Sequence, residues 1–333
     1  MKLIRPAYFE EFRCIAAACP DSCCKEWAVQ IDADAAAYYC SLPGALGDAL
    51  RESLQEEDGD TILALRADGR CPMWRDDGLC RIQAELGEAA LCHTCRDFPR
   101  LRHDYGSFVE VGLELSCPEA ARLILSSDMK HETIVQTQPG GEAPEYDQDT
   151  MDILLRSRKE VLSVLTDYAY TVGEGLKILL LHAHEVQAQI DGGEETVFAP
   201  AQYLERSFPA VSSSMQPIFD FFGQLEILTP QWRDRLLAAP VDAQWNEAHR
   251  ALAIYMVQRY WLQAVADWDL VCRAKLAVIA CLLVKALGGD MLQTAQLFSK
   301  EIENDPDNVE AILDGAYTNP ALTDLALLNL LTE

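Results

Sequence analysis

The sequence predicts a mainly α-helical protein, in which a cysteine-rich, metal-binding N-terminal region with few short strands packs on a C-terminal helical bundle. Ten of the twelve cysteines lie at or before Cys117, in segments interrupted by turn-forming proline, glycine and aspartate. In the second half of the chain, apolar residues recur at about the 3.6-residue period of a helix. We therefore expect a metal-binding or iron–sulfur-binding region at 1–135, a linker at 136–148 and a helical domain at 149–333.

The first cysteine group lies in the segment Cys14–Trp27, where four cysteines fall within eleven residues. Cys23 and Cys24 are adjacent, and adjacent cysteines rarely pair because the bridge would strain the peptide between them. Both thiols can instead face one metal from a turn. The segment therefore predicts a metal-binding turn.

The next residues predict a short strand followed by helices. Residues 28–32 alternate in polarity like a strand, and Asp32 or Asp34 is placed to cap a helix. Cys40 falls inside that helix, and we interpret it as a packed helix residue. Residues 45–58 are predicted to be helical, with an acidic, exposed face.

Three further groups of cysteines follow. Cys71 and Cys80 lie on the two arms of a hairpin-like loop, since Asp77-Gly78 between them is a tight-turn signal. The pair Cys92 and Cys95 has the C-x2-C spacing at which two sulfurs bind one ion. A strand predicted at 109–115 leads to Cys117.

The remainder of the chain predicts helices. Residues 149–190 are predicted to form two helices separated at Gly173 and Gly175. Residues 200–239 are predicted to form two more, separated at Ser212–Ser214. The helical pattern at 246–287 contains a break near 267–269. Another helix starts at Asp290. Cys272 and Cys281 lie in an apolar helical pattern and are interpreted as core residues. Beyond residue 130 no strand pattern could build a parallel sheet, and no glycine-rich nucleotide loop is present, which argues against a Rossmann-type enzyme.

Charge and cysteine usage restrict the class of partner and the compartment. A net charge of -26 argues against a nucleic-acid partner and suits a basic, lysine-bearing protein. We expect no secretory leader and no membrane span, since the longest apolar run is about half of what a bilayer requires. We therefore expect a cytoplasmic protein, in which clustered cysteines are ligands rather than disulfides.

Nine cysteines are candidate metal ligands, which is more than one four-thiolate site needs. We favour six of them and rank three lower. The favoured ones are Cys19, Cys23, Cys24, Cys71, Cys80 and Cys95, and the others are Cys14, Cys92 and Cys117. Zinc and an iron–sulfur cluster both remain open. A proline after Cys19, Cys71 and Cys117 weakly favours iron–sulfur ligation.

Three other residues are candidates for binding a cofactor. Arg96 and Arg100 could donate hydrogen bonds to cluster sulfur or to a ligand carboxylate, although pairing with Asp97 and nearby acids is the simpler interpretation. Trp27 could stack on a ligand or pack over the metal region. No catalytic residue is assigned.

Several motifs carry a resemblance to a known family. They are Phe12-x-Cys14, Cys19-Pro-Asp-Ser-Cys23-Cys24-x-x-Trp27, Cys71-Pro, Gly78-Leu-Cys80-Arg-Ile, Leu91-Cys92-His-Thr-Cys95-Arg-x-Phe-Pro-Arg100, Leu115-Ser-Cys117-Pro, Tyr260-Trp-Leu-Gln-Ala and Phe298-Ser-Lys-Glu-Ile-Glu303. Together they resemble the flagellin lysine N-methylase (FliB) family, over most of the chain. The cysteine-rich half also resembles CxxCxxCC-type zinc- or iron-chelating proteins.

The resemblance implies methyl transfer from S-adenosylmethionine to lysine side chains of flagellin, by an enzyme whose cysteines hold a 4Fe-4S cluster. The C-x3-C-x2-C motif of radical enzymes that use this donor is absent, because Glu26 stands where its third cysteine would follow Cys23. This argues against a standard radical mechanism. A polar transfer needs a neutral amine and hence a base, which we do not assign. The alternative function is a non-catalytic zinc- or iron-binding module.

Overall fold

The computed structural model describes residues 1–57, 59–126, 133–137, 145–211 and 214–332. Within these ranges the protein is mainly α-helical with few short strands, as predicted. The strands are β1 Lys2–Pro6, β2 Val29–Gln30, β3 Leu54–Glu57, β4 Asp60–Leu63, β5 Arg100–Asp104, β6 Phe108–Leu113 and β7 Thr133–Thr137.

The helices are short in the cysteine-rich part and longer after residue 147. They are α1 Ala33–Ser41, α2 Gly44–Ser53, α3 Arg81–Leu86, α4 His93–Asp97, α5 Pro118–Leu125, α6 Gln148–Leu165, α7 Val172–Ile190, α8 Pro200–Glu205, α9 Gln216–Phe222, α10 Pro230–Leu237, α11 Glu247–Tyr260, α12 Val271–Leu287, α13 Met291–Phe298, α14 Pro306–Thr318 and α15 Asp324–Thr332.

The chain divides into two compact units. The thiol unit comprises Phe12–Leu101 and Cys117–Ala120, and the helical unit comprises Met1–Glu11, Arg102–Ser116 and Ala121–Glu333. The expected division placed its boundaries at residues 135 and 148. In the structure the N-terminal strand and the 102–116 segment instead belong with the helices, because they form a sheet inside the helical unit.

The thiol unit is built around a small antiparallel sheet and two helices. The sheet has the strand order β2-β4-β3, and Val29 lies opposite Leu63. Asp32 caps α1, as predicted, by accepting a hydrogen bond of 3.0 Å from the backbone N–H of Ala35. The sheet and α1 pack around a core that includes the fully buried Tyr39.

Two expectations for this unit are wrong. The helix predicted at 45–58 ends at Ser53, and the next residues form the hairpin of β3 and β4 around Gly59, which has a φ of +93°. Glutamates 56 and 57 favour a helix locally, but pairing of the two strands overrides that preference. Cys40 lies on α1 as expected, but its side chain is exposed rather than packed.

The helical unit contains a four-stranded sheet of order β5-β6-β1-β7. Strand β1 runs parallel to β6, with Leu3 opposite Val109, and antiparallel to β7, with Ile4 opposite Val135. Strand β7 was not predicted, because its neighbour in the sheet is 130 residues away in the sequence. Its antiparallel pairing does not create a Rossmann-type sheet. Residues 138–144 of the predicted linker lie outside the described residues.

The longer helices form the core of the helical unit. Almost every residue of α12 is buried, including Cys272 and Cys281, which confirms that these two are core residues. The break predicted at Gly173 and Gly175 is wrong. The interruption lies at 166–171. Thr171 caps α7 through a capping box, and both glycines lie inside α7. None of the helices that the structure describes combines the length and apolar character required to cross a membrane.

The remaining helical predictions hold in most respects. The pattern at 246–287 is broken as expected, with a 3₁₀ helix at Trp261–Val265 between α11 and α12, and Asp290 caps α13. Residues 200–239 contain three helices (α8, α9 and α10) rather than two. Of the predicted separator in that stretch, residues 212 and 213 lie outside the described residues.

The segment after α13 is a π-helix at Ser299–Glu303 that carries a buried carboxylate. Glu303 lies 3.4 Å from the guanidinium of Arg259 and accepts hydrogen bonds from the hydroxyls of Tyr255 (3.1 Å) and Tyr260 (2.9 Å). Only 1% of the Glu303 side chain is exposed. A buried charge is tolerated in such a place when it is paired and hydrogen-bonded, as this one is.

Candidate metal centre

The first cysteine group forms a turn held by local hydrogen bonds. Ala16 adopts a left-handed conformation, with a φ of +50°, between Cys14 and Cys19. The backbone N–H of Cys19 donates to the carbonyl of Ala16 at 2.9 Å, and that of Cys24 donates to Ser22 Oγ at 3.1 Å. A non-glycine residue in this conformation costs roughly 1–2 kcal/mol, so the surrounding contacts hold the turn in its shape.

This turn is bonded to the segment that carries the second cysteine group. The N–H of Cys71 donates to the carbonyl of Cys24 at 2.7 Å, and the N–H of Glu26 donates to the carbonyl of Gly69 at 2.8 Å. Glu26 also has a left-handed φ, of +70°. The backbone thus fixes Cys24 beside Cys71, although the two residues are far apart in the sequence.

The loop from Cys71 to Cys80 is a hairpin, as the sequence predicted. Trp74 pairs with Cys80 across it, and Gly78 supplies the turn with a φ of +78°. A Cβ atom on Gly78 would lie 4.0 Å from the Cα of Ala17, so the tip of the hairpin reaches the first cysteine turn. The hairpin therefore delivers two thiols at its ends.

The Cys92–Cys95 pair is positioned by the start of α4. Cys92 is the residue before this helix and Cys95 lies within it. The carboxylate of Asp32 accepts a hydrogen bond of 2.8 Å from the backbone N–H of His93 in addition to capping α1. One carboxylate thus ties the N-termini of α1 and α4 together. The sequence indicated the first role of Asp32 but not the second, which spans 61 residues.

Five of the thiols pack on one hydrophobic core, which is the core of the thiol unit. They are Cys24, Cys71, Cys80, Cys92 and Cys95. Cys71 and Cys92 are buried and the other three are half-buried. Cys23, next to Cys24, is exposed. The structure thus brings together cysteines from three of the four groups that the sequence indicated.

Two pairs of neighbouring thiols are hydrogen-bonded, namely Cys23 with Cys24 and Cys92 with Cys95. The interaction with the Cys23 thiol, together with burial, raises the pKa of Cys24 far above its usual range. In the second pair, the hydrogen bond with the Cys95 thiol lowers the pKa of Cys92 to about 7, and the same interaction raises the pKa of Cys95. In the second pair the Cys92 thiol therefore ionises before that of Cys95.

Negative charge on neighbouring thiolates also raises the pKa values of Cys71 and Cys80. The pKa of Cys71 is raised to about 11, mainly by burial and to a smaller extent by negative charge on Cys80 and Cys23. Burial is also the main cause of the raised pKa of Cys80, and backbone N–H groups at the start of α3 oppose it. Ionisation of one of these thiols therefore opposes ionisation of its neighbours, and a bound metal cation would relieve this effect.

The remaining candidates form a second, smaller group. The pKa of Cys117 is raised to about 12, mainly by burial, with a smaller contribution from charge on Cys19 and Cys14. The pKa of Cys19 is likewise raised by burial first, and also by charge on Cys14 and Cys23. Cys14, Cys19 and Cys117 thus neighbour one another, and Cys23 connects them electrostatically to the larger group.

The thiols of the two groups are chemically suited to bind a metal, but their arrangement does not by itself form a metal site. Among the side chains that the structure describes, no three His, Cys, Asp or Glu residues are arranged so that they could hold a single metal ion. Nine thiols in two neighbouring groups are nevertheless soft ligands of the kind that zinc and iron–sulfur clusters take. Crowded thiols with mutually raised pKa values are the donors that a metal would deprotonate.

The three other candidate residues lie around the thiols with partners of their own. The indole N–H of Trp27 donates to the carbonyl of Cys23 at 3.1 Å, and the ring packs against the thiol-unit core. Arg96 lies 3.6 Å from the carboxylate of Asp97, and the guanidinium of Arg100 lies over the ring of Phe12 at 5.3 Å. These contacts accord with a packing role for Trp27 and with the simple pairing of Arg96 noted above.

Comparison with known proteins finds a flagellar biosynthetic protein and two lysine-N-methylases among the relatives of this chain. The chain is 35% identical over 134 residues to the flagellar biosynthetic protein FliU of Salmonella muenchen, a match that covers 36% of this chain and 75% of that protein. It is 34% identical over 148 residues to a lysine-N-methylase of Salmonella choleraesuis and 33% identical over 148 residues to one of Salmonella typhimurium.

The two lysine-N-methylase matches cover 39% of this chain and 35% of each enzyme, so the matched part spans about a third of the length of those relatives. No family model matches the chain. No solved structure matches it. The identity to FliU, which extends over three quarters of that protein, establishes the relationship, and the chain belongs to the family of FliU and the FliB-type lysine-N-methylases.

Proposed function

We propose that this protein is a protein-lysine N-methyltransferase that uses S-adenosylmethionine, acts on lysine side chains of flagellin and carries a 4Fe-4S cluster on its cysteines. The observation that carries the proposal is the sequence identity to proteins named lysine-N-methylases. The proposal of a cluster is supported by five cysteines that pack on the core of the thiol unit. We place the activity in the cytoplasm, where reducing conditions keep such thiols free.

The larger thiol group is the first choice for the ligands of the cluster. It consists of Cys23, Cys24, Cys71, Cys80, Cys92 and Cys95. Cys14, Cys19 and Cys117 would then serve as further ligands or neighbours. When bound, a cluster with one iron free of protein ligands would offer a site for the amino and carboxylate groups of the methyl donor.

Methyl transfer by a polar route sets clear demands on the protein. The lone pair of a neutral lysine amine attacks the methyl carbon, and the carbon–sulfur bond breaks so that its electron pair stays on sulfur, which becomes a neutral thioether. The methylated amine carries the positive charge until it loses a proton to a base or to water. The chain must therefore bring a lysine to the donor and exclude water from the reacting atoms. Its net charge of -26 favours approach of a lysine-bearing protein.

One observation favours a second candidate function. Because the matched part spans about a third of the lysine-N-methylases, the similarity could reflect a shared zinc- or iron-binding module without the transferase chemistry. Such a module would use the same thiols, but it would not bind the methyl donor.

One experiment separates the two functions. The full chain is purified without oxygen, its iron, sulfide and zinc contents are measured, and it is incubated with flagellin and S-adenosylmethionine labelled in the methyl group. We expect about four irons per chain and labelled methyl-lysine in flagellin. Cys95→Ser should lose the metal and the transfer, and Cys40→Ser, at an exposed cysteine on α1, should retain both. Zinc alone, with no labelled flagellin, would establish the second function instead.

A further inference from the structure

Four side chains of the helical unit form a continuous hydrogen-bonded network across α6, α7 and α8. Nε2 of His182 on α7 lies 3.0 Å from Oε2 of Glu160 on α6, and Nδ1 lies 3.1 Å from the hydroxyl of Tyr203 on α8. This hydroxyl lies 2.6 Å from Oε2 of Glu185 on α7. Only 2% of the His182 side chain is exposed. The His182 network, as we call these four residues, thus links three helices through one buried imidazole.

The three hydrogen bonds of the network require three protons, and the ordinary protonation states of its members supply two. A neutral imidazole carries one N–H and a tyrosine one O–H, while two ionised carboxylates carry none. With two protons, one of the three short contacts would bring two lone pairs together. Such a contact is costly at a buried site, where no water replaces the missing donor. The network must therefore hold a third proton, on the imidazole or on one of the two carboxyl groups.

Charge and burial decide which group carries the third proton. The guanidinium of Arg206 donates to the second oxygen of Glu185. Burial alone would raise the pKa of Glu185, but the hydrogen bonds that it accepts outweigh burial and lower its pKa, so Glu185 is ionised. Burial lowers the pKa of His182 from 6.5 to about 4, which opposes an imidazolium. Burial also raises the pKa of Glu160, so the third proton belongs on Glu160.

The other charged groups nearby do not change this assignment. Arg156 on α6 opposes the raised pKa of Glu160 and contributes to the lowered pKa of His182. Its charge is offset by Glu195, which lies 2.7 Å away and helps to raise the pKa of Glu160. Helices α11, α12 and α15 also contact α7, but the buried cations of α11 and α12 each have a carboxylate of their own. These pairs are Arg250 with Glu247, Arg259 with Glu303, Arg273 with Asp267 and Lys275 with Asp324.

We infer that the His182 network is a pH-sensitive switch, in which a proton on Glu160 sets the tautomer of His182 and thereby holds α8 on α7. Protonated Glu160 donates to Nε2, so the ring proton lies on Nδ1 and is donated to the oxygen of Tyr203, which donates to Glu185. When Glu160 loses its proton to water, the ring proton moves to Nε2 and binds the carboxylate. Tyr203 can then donate to Nδ1 or to Glu185 but not to both, so one hydrogen bond of α8 is lost. The switch does not depend on the proposed function.

The direction of the switch follows from the raised pKa of Glu160. A carboxyl group whose pKa is higher in the folded than in the unfolded protein stabilises the fold when protonated. This stabilisation is complete below the ordinary value of 4.5 and is lost as the pH rises through the raised value. The ammonium group of Lys177 also ties α8 to α7, by donating to the carbonyls of Leu204 and Arg206 at 3.1 Å each. Ionisation of Glu160 should therefore loosen α8 without unfolding the helical unit.

The test follows the ring nitrogens of His182 by NMR, in the full chain with isotope-labelled histidines, from about pH 5 to about pH 9. The signals are assigned by their loss in His182→Gln. We expect a neutral ring with its proton on Nδ1 at the acid end, and a shift towards Nε2 as the pH rises. Glu160→Gln donates to Nε2 from its amide without titrating, and should keep the Nδ1 form at every pH. Asp149→Asn, at an exposed carboxylate in the first turn of α6, is the matched control and should titrate as the unmodified protein does.

Hydrogen exchange of the backbone amides of α8, corrected for the intrinsic effect of pH on exchange, measures how firmly α8 is held. Their protection should fall about 2- to 10-fold over the same pH range in the unmodified protein, as expected for the loss of one hydrogen bond. It should stay constant in Glu160→Gln. Tyr203→Phe removes the hydroxyl of the network and should show the lower protection at every pH. An imidazolium or a ring proton on Nε2 at about pH 5, or the same pH-dependent protection in Glu160→Gln, would overturn the inference.

Discussion

The backbone N–H of Cys71 donates a hydrogen bond of 2.7 Å to the carbonyl oxygen of Cys24. This bond joins the turn that carries the first cysteines to the hairpin that carries the next two. Because it is a main-chain contact, it places the two residues without depending on the state of their thiols. The thiol unit thus has a backbone scaffold that holds its candidate ligands close together.

The first prediction concerns Cys71 itself. Replacing it with serine removes a buried sulfur and leaves the scaffold bond intact, so the metal should be lost while the fold of the thiol unit is retained. We expect iron to fall from about four to below one per chain. Cys40→Ser, which changes an exposed thiol on the same unit, should leave the iron content unchanged. The iron content and the circular dichroism spectrum of both variants are measured. A full iron content in Cys71→Ser would show that Cys71 is not a ligand.

Much of this site could be predicted from the sequence because its signals are local. The tight turn at Gly78, the C-x2-C spacing of Cys92 and Cys95, and the cap at Asp32 each depend on neighbouring residues. The error at β3 has the opposite origin, since Leu54–Glu57 is a strand only because it pairs with β4. A sequence shows local preferences but not which distant segment competes with them.

The contacts between segments were not predictable for the same reason. The bond from His93 to Asp32 joins residues 61 positions apart, and nothing local to His93 indicates it. The hydrogen bonds from Arg66 to the carbonyls of Pro72 and Trp74 were not predictable either, since an arginine before a cysteine loop has no local signal for them.

The second prediction concerns Asp32, which caps α1 and also accepts the N–H of His93 at the start of α4. Asp32→Ala should lower the free energy of unfolding by about 1–2 kcal/mol, since it removes a cap and one further charged hydrogen bond. It should also expose Cys92 and Cys95 to a thiol reagent. Asp34→Ala, at an exposed carboxylate in the first turn of α1, is the matched control and should change neither quantity.

The stabilisation that Asp32 provides depends on pH, because only its ionised carboxylate accepts both hydrogen bonds. The N–H of His93 and that of Ala35 lower the pKa of Asp32 below its usual value of 3.8. The stabilisation is therefore complete above that value and is lost as the pH falls below it. The difference in unfolding free energy between the unmodified protein and Asp32→Ala should be constant near neutral pH and shrink in strong acid. Equal stability of the two at pH 7 would contradict the double role of Asp32.

The third prediction concerns the buried pair of Arg259 and Glu303 in the helical unit. Arg259→Met leaves the Glu303 carboxylate buried without its cation, and should cost about 3–5 kcal/mol in unfolding free energy. Arg259 also lies 3.9 Å from the carboxylate of Glu114. Adding Glu303→Gln removes one of the two carboxylates that have lost this cation, so the double variant should recover part of the loss. Denaturant titration of the two single variants and the double variant gives the coupling energy.

An exposed pair provides the comparison for that measurement. Arg102 and Asp104 lie 3.0 Å apart with more than half of each side chain exposed, and Arg102→Gln should cost less than about 1 kcal/mol. If Arg259→Met cost no more than this, the buried network around the π-helix would have no structural role.

The fourth prediction concerns His249, which accepts a hydrogen bond of 3.2 Å from the backbone N–H of Asn246 at the start of α11. Only a neutral imidazole can accept this bond. Burial lowers the pKa of His249 from 6.5 to about 4, and the charge of Lys285 contributes. Since the folded-state pKa lies below the unfolded one, the stabilisation is complete above about pH 6.5 and is lost as the pH falls towards 4.

His249→Gln tests this, because glutamine at the third position of a capping box can accept the same bond without titrating. Between pH 7.5 and pH 5 the unmodified protein should lose about 2 kcal/mol more unfolding free energy than His249→Gln. His249→Ala, which removes the acceptor, should be less stable at pH 7.5 but equally free of the extra acid sensitivity. The comparison requires denaturant titrations of the three proteins at both pH values, and parallel pH profiles for the unmodified protein and the glutamine variant would show that His249 does not titrate in this range.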